Sequence, residues 1–316
     1  MIGIVGAGAF GTALACTLAR EGRDVTVWAR DLSKLTSQGR QSSRLPGVDL
    51  PKAVSVTAEI RDLAGAEAVL LCLPMQALAG FLNEAGPVLD GTALVACCKG
   101  VDLNQLKGAS SLLRADCPKS TAAILTGPSF ATDIALGKPT ALTLACAGVE
   151  AEGLQRLLST ATLRIYRSSD VIGAELGGAL KNVIAIAAGV VIGAGLGESA
   201  RAALMTRGYA EMLRFALYHG ARAETLAGLS GFGDLVLTCT SLQSRNLRFG
   251  MALGAAKAFD PSVTVEGMAT AKAVARIAGG AGLDMPISSM VAALVDRKIA
   301  LDQAIRDLMS RPLKEE

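Results

Sequence analysis

Six residues near the start of the chain, Gly6-Ala7-Gly8-Ala9-Phe10-Gly11, narrow the choice of fold more than any other feature. They follow the apolar run Ile2-Gly3-Ile4-Val5 and lead directly into a segment of helical periodicity at residues 12–21. In a strand–turn–helix unit each glycine has its own task. The first permits a tight turn, the second lets a pyrophosphate approach the backbone, and the third lets helix pack on strand. The unpaired N–H groups at the helix start then face the phosphates. Gly6, Gly8 and Gly11, with Ala9 and Phe10 between them, are therefore expected to bind a dinucleotide cofactor.

The pattern around this turn supports the same fold. Short apolar runs at residues 2–5, 24–28, 68–73, 94–97 and 122–125 read as buried parallel strands, with helical patterns such as 12–21 and 75–85 between several of them. That alternation implies a doubly wound, Rossmann-like α/β sheet. Residues 140–146 and 163–166 read as further strands at its edge. After about Asp170 the strands stop and long helical patterns follow, at 173–193, 200–218, 265–278 and 287–295, with a Gly-rich break at 228–233. The expected division is a dinucleotide-binding domain at 1–168 and an all-α substrate-binding domain at 169–316.

Composition removes several function classes. The 31 basic and 28 acidic residues give a net charge of +3 and are spread along the chain without a basic block, which argues against nucleic acid and anionic membranes as partners. The uncharged stretch at residues 182–197, within the most apolar helical pattern, is 16 residues long, short of the roughly 20 that a spanning helix needs, so no integral membrane segment is expected. The chain opens directly in an apolar strand with no charged leader, which predicts no signal peptide. Seven cysteines without metal-like spacing lie mostly in apolar runs and read as small buried hydrophobes of a reducing, cytoplasmic protein, with no metal site. A helical half rich in Ala, Leu and Gly is compatible with a homodimer.

The end of the second strand commonly carries an acidic residue for the ribose 2′-hydroxyl of NAD. Here it reads Val25-Thr26-Val27-Trp28-Ala29-Arg30, with Asp31 following. Arg30 can pair with a 2′-phosphate and stack on adenine, so the expected cofactor is NADP or NAD with NADPH preferred. A surface Arg–Asp pair is the alternative reading.

A nicotinamide cofactor exchanges a hydride with a carbonyl carbon, and a chain that used it so would need a proton source for the developing alkoxide. His219, the single histidine, lies in a helical pattern and reads as structural. Lys181 lies in an apolar, small-residue helix where desolvation lowers a lysine's pKa toward neutrality, and Asn182 beside it can donate to the same oxygen. Lys99 follows the fourth strand, at the edge where open α/β sheets bind ligands. Gly127-Pro128-Ser129 is a turn with donors for polar substrate atoms, although a plain turn reads the same. Ser244-Arg245-Asn246 places three donors before a helical stretch, which suits a phosphate; a bare helix cap remains the alternative. Asp234 would repel phosphate and instead orients a lysine or accepts a substrate hydroxyl.

Taken together, these segments resemble the bacterial-type NAD(P)-dependent glycerol-3-phosphate dehydrogenases over nearly the whole chain. The resemblance rests on the glycine turn and Trp28-Ala29-Arg30, on Cys98-Lys99-Gly100-Val101, and on Leu125-Thr126-Gly127-Pro128-Ser129-Phe130-Ala131. It continues through Gly178-Ala179-Leu180-Lys181-Asn182-Val183, Thr206-Arg207-Gly208, Gly231-Phe232-Gly233-Asp234-Leu235 and Ser244-Arg245-Asn246, and ends with Val265-Glu266-Gly267 and Met285-Pro286-Ile287. Ser199 and Val101 depart from the usual family residues. The resemblance implies reversible reduction of dihydroxyacetone phosphate, a small phosphorylated substrate, to sn-glycerol 3-phosphate for glycerophospholipid synthesis. It makes Lys181 the catalytic proton acceptor in alcohol oxidation. It also implies substrate contacts from Lys99, Gly127, Ser129, Lys181, Asp234, Ser244, Arg245 and Asn246, and cofactor contacts from Lys99, Ala131, Arg245 and Glu266. Two other readings stay open on the residues alone. One is a related two-domain ketoacid or hydroxyacid reductase, whose carboxylate would also satisfy Arg245; the other is a non-catalytic NAD(P)-sensing protein.

Overall fold

The computed structural model describes residues 1–36, 40–42 and 44–309. Eight strands form one sheet: β1 (Ile2–Val5), β2 (Val25–Trp28), β3 (Ser55–Thr57), β4 (Ala68–Leu71), β5 (Ala93–Ala96), β6 (Ala122–Thr126), β7 (Thr140–Ala145) and β8 (Leu163–Ser168). Their spatial order is β3-β2-β1-β4-β5-β6-β7-β8, so the chain runs outward from β1 in one direction and then in the other. That reversal is the signature of a doubly wound sheet, and the ligand crevice forms where the order reverses. All neighbours pair in parallel except β6 and β7, which are antiparallel.

Helices α1 (Ala9–Arg20), α2 (Ser33–Thr36), α3 (Met75–Leu89), α4 (Ala109–Asp116), α5 (Ala131–Ala135) and α6 (Ala151–Leu158) connect the strands. The central strands are apolar on both faces, and each face of the sheet has its own core. Val25, Val27, Leu142 and Leu144 pack with Leu14 and Leu18 of α1 on one side. Val69, Leu71 and Leu94 pack with Leu78 and Leu82 of α3 and Leu112 of α4 on the other.

The remaining chain is helical: α7 (Val171–Gly193), α8 (Glu198–Tyr218), α9 (Ala223–Ala227), α10 (Asp234–Thr240), α11 (Arg245–Gly254), α12 (Glu266–Ala281), α13 (Pro286–Val295) and α14 (Leu301–Met309). A π-turn at Leu229–Gly233 occupies the Gly-rich break before α10. Asp170 caps α7 by accepting from the Gly173 N–H at 2.8 Å. By length and composition α7 could cross a bilayer, but 89% of its apolar window is buried inside the protein. It is the central beam of a third core, with Val183, Ile184 and Ile186 packed among Met212, Phe215, Leu247 and Val274.

Glycines set how closely the neighbours approach this beam. A Cβ on Gly189 would lie 2.2 Å from the Leu247 carbonyl oxygen, and one on Gly250 would lie 2.0 Å from that of Ile186. Helices α7 and α11 therefore pack backbone to backbone. The two halves are also tied by Glu175 of α7, whose carboxylate accepts from the Ser110 N–H at 2.7 Å at the start of α4.

Candidate active site

The glycine turn has the geometry its residues require. Gly6 has φ of +106°, and a Cβ there would lie 2.8 Å from the Cys72 carbonyl oxygen. A Cβ on Gly11 would lie 2.1 Å from the Gly6 oxygen, so helix and turn meet without room for a side chain. Around Gly8, in contrast, no atom lies within 4 Å of a built Cβ. This is the open approach that a pyrophosphate needs, at the N-terminus of α1, where the Ala9, Phe10 and Gly11 N–H groups lack helical acceptors. The residues present thus fit a dinucleotide.

Arg30 stands exposed two residues beyond β2. Among the described residues it forms no ion pair, and the neighbouring Asp31 carboxylate accepts instead from the Ser33 N–H at 2.9 Å. The guanidinium is therefore available to a ligand at the adenosine end.

Lys181, Asp234 and Lys99 come together from α7, the start of α10 and the loop after β5. The Lys181 ammonium lies 3.0 Å from Asp234 Oδ1, and the Lys99 ammonium lies 2.6 Å from Asp234 Oδ2. One buried carboxylate thus aligns two lysines, one from each half of the chain. Lys181 also donates to Thr238 Oγ1 at 2.7 Å, and Thr238 donates on to Asp234 Oδ1 at 3.2 Å. Lys99 donates to the Gly127 carbonyl oxygen at 3.0 Å, and the Ser129 hydroxyl donates to the same oxygen at 3.3 Å. Gly127 has φ of +137°, and a Cβ there would crowd Leu142, so the turn that brings this oxygen to Lys99 depends on glycine.

The electrostatics of the trio follow from its burial. Burial alone would raise the Asp234 pKa, but the two ammonium groups outweigh it and hold the carboxylate ionised below its ordinary range. Lys181 moves the other way. Burial lowers its pKa, Lys99 lowers it further, and the attraction of Asp234 restores part of the loss, leaving it at about 8. The group can therefore both hold and release a proton near neutrality.

Ser244, Arg245 and Asn246 open α11. The Ser244 hydroxyl caps the helix by accepting from the Leu247 N–H at 3.1 Å. Asn246 is buried, donating to Asn182 Oδ1 at 2.9 Å and accepting from the Gly267 N–H at 3.0 Å. It joins α11 to α7 and α12 and fixes the Asn182 amide beside Lys181. The Arg245 side chain reaches solvent, though partial desolvation lowers its pKa; Glu266 pulls it up, and Arg44 and Arg248 push it down. Arg44, from the β2–β3 loop, was not among the residues expected from sequence, and neither was Thr238. A threonine four residues after Asp234 on a helix is the one signal that could have marked Thr238.

Glu266 begins α12, and its Oε1 accepts from the Met75 N–H at 3.4 Å. Its Oε2 is buried without a hydrogen-bond partner. Burial raises the carboxyl pKa to about 7, against the pull of the Met75 N–H and of Arg245, Lys181 and Lys99. An orphaned buried acceptor at the cleft fits a donor supplied by a bound cofactor. Ala131 opens α5 on the sheet side. His219 is the C-cap of α8, with its Nδ1 2.8 Å from the Phe215 carbonyl oxygen. All seven cysteines are free thiols, and the described residues contain no cluster suited to a metal.

The comparisons with known proteins agree along the whole chain. Residues 1–152 match the model for the N-terminus of NAD-dependent glycerol-3-phosphate dehydrogenase, and residues 170–306 match that for its C-terminus. A glycerol-3-phosphate dehydrogenase [NAD(P)+] of Cereibacter sphaeroides is 65% identical, covering 100% of both chains. The crystal structure of glycerol-3-phosphate dehydrogenase from Coxiella burnetii superposes with a TM-score of 0.93 at 34% identity, covering 98% of each chain. A ketopantoate reductase from Ralstonia eutropha shares the fold alone, with a TM-score of 0.65 at 16% identity over 96% of this chain and 100% of its own. Sequence, fold and relatives converge, and the chain belongs to the NAD-dependent glycerol-3-phosphate dehydrogenase family.

Proposed function

We propose that the protein reduces dihydroxyacetone phosphate reversibly to sn-glycerol 3-phosphate, with Lys181 as the proton donor. The observation that carries this reading is the Lys99–Asp234–Lys181 bridge across the cleft, one side of which is the glycine turn and another the Arg245 cluster. When bound, the nicotinamide supplies and accepts the hydride.

The chain's own groups do the rest. Arg245 and the N-terminus of α11 hold the substrate phosphate, and Ser244 and Asn246 fix that end of the helix. The ketone oxygen meets Lys181 and the Asn182 amide, which stabilise negative charge as it forms. Lys181 gives up its proton and is recharged from water, while Asp234 keeps its ammonium in place. Lys99, Gly127 and Ser129 orient the substrate from the sheet side. Gly6, Gly8, Ala9, Phe10 and Gly11 hold the pyrophosphate, Ala131 and Glu266 line the nicotinamide end, and Arg30 takes the 2′-phosphate, which makes NADPH preferred. Seven free thiols suit a reducing, cytoplasmic setting. The assignments correspond to a dinucleotide domain over 1–168 and a substrate domain over 169–316.

The test is loss of NADPH absorbance with dihydroxyacetone phosphate, run beside unphosphorylated dihydroxyacetone and ketopantoate, and repeated with NADH and with Arg30→Ala. Rapid oxidation with the phosphorylated ketone alone is expected, and Arg30→Ala should narrow the NADPH-to-NADH specificity ratio about tenfold or more, the loss of one charge-assisted contact. Comparable turnover of ketopantoate would assign a carboxylate substrate. Binding of NADPH without any turnover would leave a sensor.

A further inference from the structure

A cavity of about 340 Å³ lies in the helical half and is lined by none of the residues assigned above to substrate or cofactor. Its walls are Val190 and Val191 of α7, Leu204 of α8 and Met290 and Leu294 of α13, with Ala304 of α14 on a further side. The volume falls within the roughly 300–1,000 Å³ of small-molecule sites. Ala200 and Ala203 of α8 leave room that larger side chains would fill. Among the described residues the lining holds a single charged residue, the exposed Arg207. Among the described residues Arg207 forms no ion pair or hydrogen bond. It belongs to Thr206-Arg207-Gly208, a distinctive stretch of the sequence that the redox chemistry leaves unused.

We propose that this cavity binds a single-chain amphiphile, its acyl chain among the apolar walls and its anionic head, a carboxylate or a phosphate monoester, on Arg207. The apolar walls offer water few hydrogen-bond partners, so an apolar guest displaces no well-bonded water. An uncompensated guanidinium at its rim supplies the complementary charge for an oxyanion. Helices α7, α8, α13 and α14 of one chain line the space as a groove open to solvent on one side, which suits an acyl chain laid along it with its head at the Arg207 rim. The position also couples the guest to the site. Helix α7 forms one wall of the cavity and packs on its other side, backbone to backbone, against α11. A guest that displaces α7 therefore displaces Ser244, Arg245 and Asn246. This consequence rests on the function proposed above, whereas binding itself does not. Acylation of either free hydroxyl of glycerol 3-phosphate yields a molecule of the class the cavity fits.

Isothermal titration calorimetry of the purified full chain with dodecanoate, and separately with 1-dodecanoyl-glycerol 3-phosphate, both below their aggregation thresholds, tests the proposal without any turnover measurement. Saturable binding of one molecule per chain is expected. Arg207→Ala should weaken it about tenfold or more, the loss of a charge-assisted contact. Ala203→Trp, at an exposed position, should abolish it by filling the space while leaving the thermal unfolding profile unchanged. Binding of either amphiphile supports the site, and the one that binds identifies the head group. Absence of saturable binding by both, or binding indifferent to both substitutions, overturns it. So does dissociation of a dimer by Ala203→Trp in sedimentation velocity, which would make the cavity part of a subunit contact.

Discussion

Lys181 holds its proton less tightly than a lysine in water because burial and Lys99 together outweigh the attraction of Asp234. The sign of the pH dependence follows. Ketone reduction needs the ammonium form, so turnover should fall as pH rises through about 8, and alcohol oxidation should rise through the same value. Asp234→Asn removes the attraction that holds this pKa up, so both inflections should move to lower pH, as initial rates across the pH range would reveal. Lys181→Ala should cost about 10²–10⁴-fold in turnover, the usual contribution of a general acid, with NADPH binding retained in a fluorescence titration. Much of this was legible residue by residue. A lysine inside an apolar helix and a carboxylate in Gly-Phe-Gly-Asp each carry their own signal. Their meeting was not legible, because Asp234 Oδ1 reaches Lys181 and Oδ2 reaches Lys99 from distant parts of the chain. Arg44 carries no signal at all in sequence, since its part is defined by the approach of Arg245 from the other half.

At the level of elements, the apolar runs located seven of the eight strands. The exception, β3, is Ser55-Val56-Thr57, three residues too polar and too few to register as a strand until β2 supplies its partner. The antiparallel pairing of β6 with β7 was likewise not readable, because an apolar strand has the same pattern in either direction. The Gly-rich break at 228–233 proved to be a π-turn that delivers Asp234 to the start of α10, a shape no glycine count specifies. Helix α7 was clear from its length and apolarity, yet its contact with α11 depends on glycines that sequence shows only as weak helix formers. Gly250→Ala tests that contact. Its Cβ would meet the Ile186 oxygen at 2.0 Å, so α11 must move outward. Urea unfolding should show about 1–3 kcal/mol of destabilisation, the common cost of overpacking. The KM for dihydroxyacetone phosphate should rise more than that for NADPH, since Arg245 moves with the helix.

The molecule has a core on each face of the sheet and a third around α7, and the halves are joined by a small apolar cluster of Val101, Ala179 and Ala273 and by polar contacts. Lys99 with Asp234, Glu175 with Ser110, and Glu266 with Met75 each join a residue before position 169 to one after it. Two of these contacts are complete in the free protein. The third is not, because Glu266 Oε2 is buried with no donor and the carboxyl pKa is pushed to about 7. Glu266→Gln removes the buried charge and should raise the melting temperature of the ligand-free protein while weakening NADPH binding, which differential scanning fluorimetry with and without cofactor would separate. On that outcome, selection for durability and selection for activity pull against each other at this position. A laboratory lineage chosen solely for survival of heat would then be drawn to replace Glu266 and would loosen its hold on NADPH, whereas a lineage that must keep turning over substrate would be obliged to carry the flaw.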